Sequence, residues 1–104
     1  MRDAPNSRLM AIREKGGRNS PTAQRLRLLR KAIFDDNNTA FAARVGISVQ
    51  RMNNFENGFP LSLEVANRIR AVAPGITLDW LYHGDERALP LDILTKLREG
   101  SANG

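Results

Sequence analysis

Four residues with hydrogen-bonding side chains, Gln50, Arg51, Asn53 and Asn54, stand close together behind Val49. A carboxamide carries a donor and an acceptor side by side, and a guanidinium carries several donors in a fixed plane. Such groups match the edges of bases. Gln50 and Asn54 can each bond adenine with two hydrogen bonds, Arg51 can reach guanine or a phosphate, and Val49 can pack on a thymine methyl, with Asn53 nearer the margin. A good two-bond contact contributes roughly 1–3 kcal/mol of discrimination against the wrong base. The chain offers no rival chemistry of comparable density. It has no cysteine and one histidine, so thiolate or clustered-histidine metal sites and disulfides are excluded. His83, beside Gly84, reads as a helix end and not as a catalyst. No nucleophile–base pair, paired carboxylates or phosphate loop is present, and the expectation is a protein that is not an enzyme, with no cofactor and no metal.

The elements that must position these groups are legible around them. In NTAFAARVGISVQRMNNFEN, Asn38 to Asn57, Phe41 and Val45 fall on one helical face at i, i+4, and Met52 and Phe55 on another at i, i+3. Gly46 between them suits the left-handed conformation that closes a helix and turns the chain. Ser48 is placed to cap the second helix, and Ala42 is small enough to let the two helices meet. The apolar positions are thus accounted for by the packing of two helices, and the polar row is left facing outward.

The same twenty residues resemble the helix-turn-helix of the phage-repressor and Cro-like (XRE) family. Glu56-Asn57-Gly58 looks like that family's ending of the recognition helix, Arg25 to Ile33 (RLRLLRKAI) like its first helix, and Ile76 to Gly84 (ITLDWLYHG) like its closing segment. The resemblance covers about Pro21 to Asp85. It implies an all-α fold: a compact five-helix lambda-repressor-like DNA-binding domain with an appended carboxyl-terminal helix. It also implies that Val49, Gln50, Arg51, Asn53 and Asn54 meet bases, and that Asn38, Arg44 and the backbone near Asn57-Gly58 meet phosphates. Arg27 and Lys31 are either solvated or phosphate contacts. Glu56, a carboxylate in the last turn of its helix, opposes the helix dipole and needs a cation. The resemblance supplies Arg30 as its partner in a structural ion pair, with Lys31 as the fallback.

The rest of the chain is consistent with one small domain and its tails. At 104 residues and 41% hydrophobic content it can bury one modest core. Net charge is +5, unevenly placed: residues 1–21 hold five basic against two acidic residues and residues 22–58 six against three, whereas residues 59–104 hold five against six. Positive charge therefore gathers where a polyanion would dock. Residues 1–20 form a basic, flexible arm in which Arg8 to Lys15 can make a short amphipathic turn before Gly16-Gly17. Three roles stay open for it: a plain tail, a contact to DNA, or self-association. Ser20-Pro21 starts a helix whose inward stripe is Leu26, Leu29 and Ile33, with Phe34 beside it. Asn37 caps the next helix. Ser62 caps a fourth, with Leu63, Ala66, Ile69 and Val72 or Ala73 inward, and Thr77 caps a fifth in which Trp80 is half buried. Residues 86–104 hold a last amphipathic helix begun by Pro90, with Leu91, Leu94 and Leu97 as its stripe and Ile93 beside them. Its apolar face either folds back on residues 21–85 or meets another chain through residues 88–98; Ser101 to Gly104 are expected to be disordered.

The expected function is sequence-specific binding of double-stranded DNA by a transcriptional regulator, a repressor. It would act as a homodimer on a palindromic operator. The alternative is an antitoxin or protein-interaction module on the same fold. No apolar stretch of signal-peptide or membrane-spanning length appears, which points to the cytoplasm and away from the membrane.

Overall fold

The computed structural model describes residues 17–103. The expected arm at residues 1–16, its amphipathic turn included, and Gly104 lie outside them. Among the described residues there are six helices and no strand: α1 (Pro21–Ile33), α2 (Asn38–Val45), α3 (Val49–Glu56), α4 (Leu63–Val72), α5 (Leu78–His83) and α6 (Leu91–Asn103). Five of them begin in the same way. The side chains of Ser20, Asn37, Ser48, Ser62 and Thr77 accept from the backbone N–H three residues on, at Ala23, Ala40, Arg51, Val65 and Trp80. Each such cap satisfies an otherwise orphaned donor and stabilises its helix by about 1 kcal/mol.

The helix ends are more varied. Gly46, at φ +87°, closes α2 in the left-handed conformation, and its N–H reaches back to the Ala42 carbonyl at 2.9 Å. After α1 there is no glycine. Instead Asp35 and Asp36 both take left-handed backbones at φ +56°, and the Asp36 N–H donates to the Arg30 carbonyl at 3.0 Å. Aspartate tolerates this region better than most residues, and here the Arg30 side chain also grips the Asp36 carboxylate.

Helix α1 is the centre of the packing and lies against α3, α5 and α6, while α2 packs on α3 and α4. Leu26, Leu29, Phe41, Met52, Val65, Ile69 and Leu81 are fully buried in a single core. The rings of Phe34 and Phe41 stack at 4.7 Å between centroids, joining the end of α1 to α2. Three apolar assignments differ from the sequence reading. Leu63 is 58% exposed, because α4 turns Val65, Ala66, Ile69 and Ala73 inward and Leu61, in the loop before it, fills the place. Trp80 is buried, not half exposed.

The third difference concerns α6. Ile93 and Leu97 on it are buried, with Leu89 four residues before Ile93 in the preceding loop, and Leu91 points out at 77% exposure. These side chains belong to the same core as α1 to α5, so residues 89–100 are a packed part of the domain. Near the end of α6, Gly100 lies so close to α1 that a Cβ there would stand 3.3 Å from the Ala32 Cβ. The helix continues through Ser101 to Asn103, where disorder was expected. The fold-back alternative is therefore the one adopted, and most of the apolar face at 88–98 is covered from within. No helix among the described residues is long and apolar enough to cross a membrane.

Candidate nucleic-acid interface

Helices α2 and α3 pack against each other with Ala42 buried at 1% exposure, and the turn between them is held from two sides. The Ile47 N–H donates to the Ala42 carbonyl at 3.0 Å, and from α4 the Arg68 Nη1 donates to the Gly46 carbonyl at 3.1 Å. Met52, Phe55 and Glu56 fix one face of α3 in the protein. Val49, Gln50 and Arg51 remain exposed, with Asn54 half exposed. The Gln50 Nε2 donates to the Asn54 Oδ1 at 3.1 Å, so the two amides form one continuous polar edge. At about 100° per residue, Gln50, Asn54 and Asn57 fall within about 60° of one another around the axis. They make a stripe roughly 10 Å long. Beside it the Arg51 guanidinium lies over the Phe55 ring, 5.7 Å from its centroid.

Asn53 and Asn38 are not on this stripe. Expected at a base and at a phosphate, they face each other: the Asn38 Nδ2 donates to the Asn53 Oδ1, and the Asn38 Oδ1 is buried with no hydrogen-bond partner. Their bond joins the first turn of α2 to the middle of α3. Both side chains are half buried.

The end of α3 also departs from expectation. The N–H groups of Asn57, Gly58 and Phe59 donate to the carbonyls of Asn53, Phe55 and Asn54, at 2.9, 3.2 and 3.0 Å. These amides, expected at a phosphate, close the helix in this structure. Asn57 keeps a side-chain role. Its Nδ2 donates to the Asn53 carbonyl at 2.8 Å, and its Oδ1 accepts from the Arg18 Nη1 at 3.0 Å. Gly58 sits at φ +109° with the backbone of Gly17 against it; a Cβ on Gly58 would stand 2.0 Å from the Gly17 carbonyl oxygen. Gly17 and Arg18 are thus seated on the end of α3.

Three arginines of α1 act as tethers. The Arg30 Nε donates to both carboxylate oxygens of Glu56, at 3.1 and 3.2 Å, and Glu56 is 5% exposed. Arg30, not Lys31, holds this position, and its Nη1 also meets Asp36. Arg27 donates to the Glu56 carbonyl oxygen, and Arg25 donates through Nε to the Leu81 carbonyl at 2.9 Å. With its bond to Glu56, Arg27 caps the carboxyl end of α3, where the unpaired carbonyls carry negative charge. Burial lowers the pKa of Arg25, and it lowers that of Arg27 too, with Arg18 nearby acting in the same direction. Burial pushes the Glu56 carboxyl above its ordinary value, against the pull of Arg30, Arg27 and Arg18. Lys31 is half exposed, and Arg44 is exposed at the last turn of α2, 6.0 Å from the Phe34 ring centroid.

Sequence reasoning missed Arg18, Arg25, Arg68 and the exposed Phe59. The first three serve acceptors that no pattern in the chain identifies: an asparagine side chain and two backbone carbonyls. Phe59 carried a signal that went unused, since it stands next to Pro60 in a loop with no helical stripe to join. Compared with protein-family models, curated proteins and solved structures, the chain matches none.

Proposed function

We propose that this chain binds double-stranded DNA with sequence specificity, as a regulator of the phage-repressor-like (XRE) kind with a lambda-repressor-like arrangement of its helices. The pair Gln50–Asn54 carries the reading: two carboxamides one turn apart on the outer face of a helix whose other face is buried and whose end is tied down at Asn57. A helix in this position fits the major groove with its amino-terminal residues against base edges. Val49 and Arg51, both exposed, lie at the two margins of this outer face, about 100° to either side of Gln50, and are the proposed methyl and guanine contacts. Arg44, exposed, and Lys31, half exposed, are the proposed phosphate contacts. One domain with so few base contacts binds weakly alone. A homodimer on a palindromic operator, with half-sites about 34–36 Å apart or a multiple of that, is the expected assembly, and repression is the expected outcome.

Selection from a pool of random duplexes by the purified chain tests this. Recovery of one enriched motif with two-fold symmetry is the expected result. Sequences no more alike after selection than before would reject sequence-specific binding.

A further inference from the structure

The carboxyl end of α3 is built differently from its amino-terminal stripe. Phe34, Phe41 and Phe55 are buried, and Phe59 is 59% exposed. Its backbone is not loose, since its N–H is bonded to the Asn54 carbonyl, one turn behind on the same helix. Arg18 stands beside it in space: its Nη1 holds Asn57, the last residue of the polar stripe, and Gly17 rests on Gly58. An exposed aromatic residue and a guanidinium tied two residues before it thus both belong to the turn where α3 ends. Arg18 and Arg27 both bear on this corner, whose one buried carboxylate, Glu56, is already paired with Arg30. The local field is positive. A polyanion whose charged groups alternate with apolar rings satisfies both features, and the sugar–phosphate backbone of DNA has that composition.

We infer that Arg18 and Phe59 form a sequence-independent clamp on the DNA backbone, Arg18 on a phosphate and Phe59 on the neighbouring deoxyribose. The inference rests on the DNA-binding reading and adds to it a contact outside the base-reading stripe. A guanidinium has five N–H donors, and the Asn57 bond uses one and fixes the direction of the plane. The ring buries apolar area against a sugar without displacing any counterion.

The two contacts differ in their salt dependence, which makes them separable. Each phosphate neutralised contributes about 0.9 to the slope of log affinity against log salt. Arg18→Ala should lower that slope by about 1 on the selected operator and on an unrelated duplex alike, and Arg18→Lys should restore it. Phe59→Ala should weaken binding to both duplexes by the same factor, on the order of tenfold, at an unchanged slope. Thermal melts of the free variants, expected to match the wild type, keep loss of folding apart from loss of contact. If the wild type binds both duplexes and the two alanine variants bind as it does, the clamp is wrong and the DNA reading stands. If the wild type binds no duplex at all, the reading and the clamp fall together. A shift from dimer to monomer in sedimentation equilibrium on Phe59→Ala would assign the ring to a second copy of the chain and overturn its place on DNA.

Discussion

The two ends of α3 handle polar groups in opposite ways. At its start, Gln50 and Asn54 bond mainly to each other and face outward. At its finish, Glu56 is buried under Arg30 while Arg27 takes its backbone carbonyl. The outer end keeps its hydrogen-bonding capacity for a ligand; the inner end commits that capacity to the protein. The base-reading role proposed for α3 needs both, because amides select a base sequence only if the helix that carries them is held in one orientation.

The comparison predicts most sharply at the inner end. Arg30→Met leaves a buried carboxylate without its strongest partner and should destabilise the fold by about 3–5 kcal/mol in denaturant melts. Glu56→Gln should cost less, because Arg30 keeps Asp36 and an amide oxygen as acceptors. The double variant should recover part of the Arg30→Met loss; losses that simply add would show that the two residues are not coupled. The pH dependence follows from the raised pKa of Glu56. A carboxyl whose folded pKa lies above its unfolded value adds stability below the unfolded pKa, and that contribution is lost as pH rises through the folded pKa. Acidification should therefore stabilise the wild type relative to Glu56→Gln, and it should shrink the deficit of Arg30→Met. A deficit constant with pH would mean that the Glu56 charge is not what Arg30 offsets.

At the outer end the expected effect is smaller and of another kind. Gln50→Ala and Asn54→Ala should each cost about 1–3 kcal/mol of binding to the selected operator, with little change on an unrelated duplex. Their melting should stay within about 0.5 kcal/mol of the wild type. Marked destabilisation by either would erase the distinction between the two ends. Asn53 lies between them and sharpens the boundary. Asn53→Ala removes the bond from Asn38 and should lower stability by about 1 kcal/mol while leaving the preferred operator sequence unchanged. An altered sequence preference would return Asn53 to the reading surface.

What the chain discloses before folding divides along similar lines. The caps at Ser20, Asn37, Ser48, Ser62 and Thr77, and the turn at Gly46, are local demands that only a few residue types meet, so they are visible in the chain itself. The outward set Gln50 and Asn54 is visible because Met52 and Phe55 define the opposite face. The facing of α6 is not. LDILTKL contains two overlapping apolar stripes, one through Leu91 and Leu94 and one through Ile93, both reaching Leu97, and only the surface of α1 decides between them. Asn53 misleads for a related reason: an amide at the edge of a buried face points wherever a partner stands, and Asn38 lies fifteen residues away. The Arg30–Glu56 pair was named through resemblance, since spacing alone left Lys31 as an alternative.

The return of α6 to α1 also bears on how the molecule is assembled in time. Helices α2 and α3 are separated by one short turn, whereas Gly100 reaches Leu28 and Ala32 across most of the domain's sequence. Closing so long a loop adds little to the equilibrium cost, about 0.6 kcal/mol per doubling of length, but contacts of large sequence separation slow folding. The helical pair that carries the polar stripe is local and suited to form early, with α6 docking after it. Leu97→Ala should then accelerate unfolding far more than it slows refolding in stopped-flow measurements, and an equal effect on both rates would place α6 in the folding nucleus. On this view α6 acts as a latch: it sets how long the folded domain lasts more than how quickly it forms.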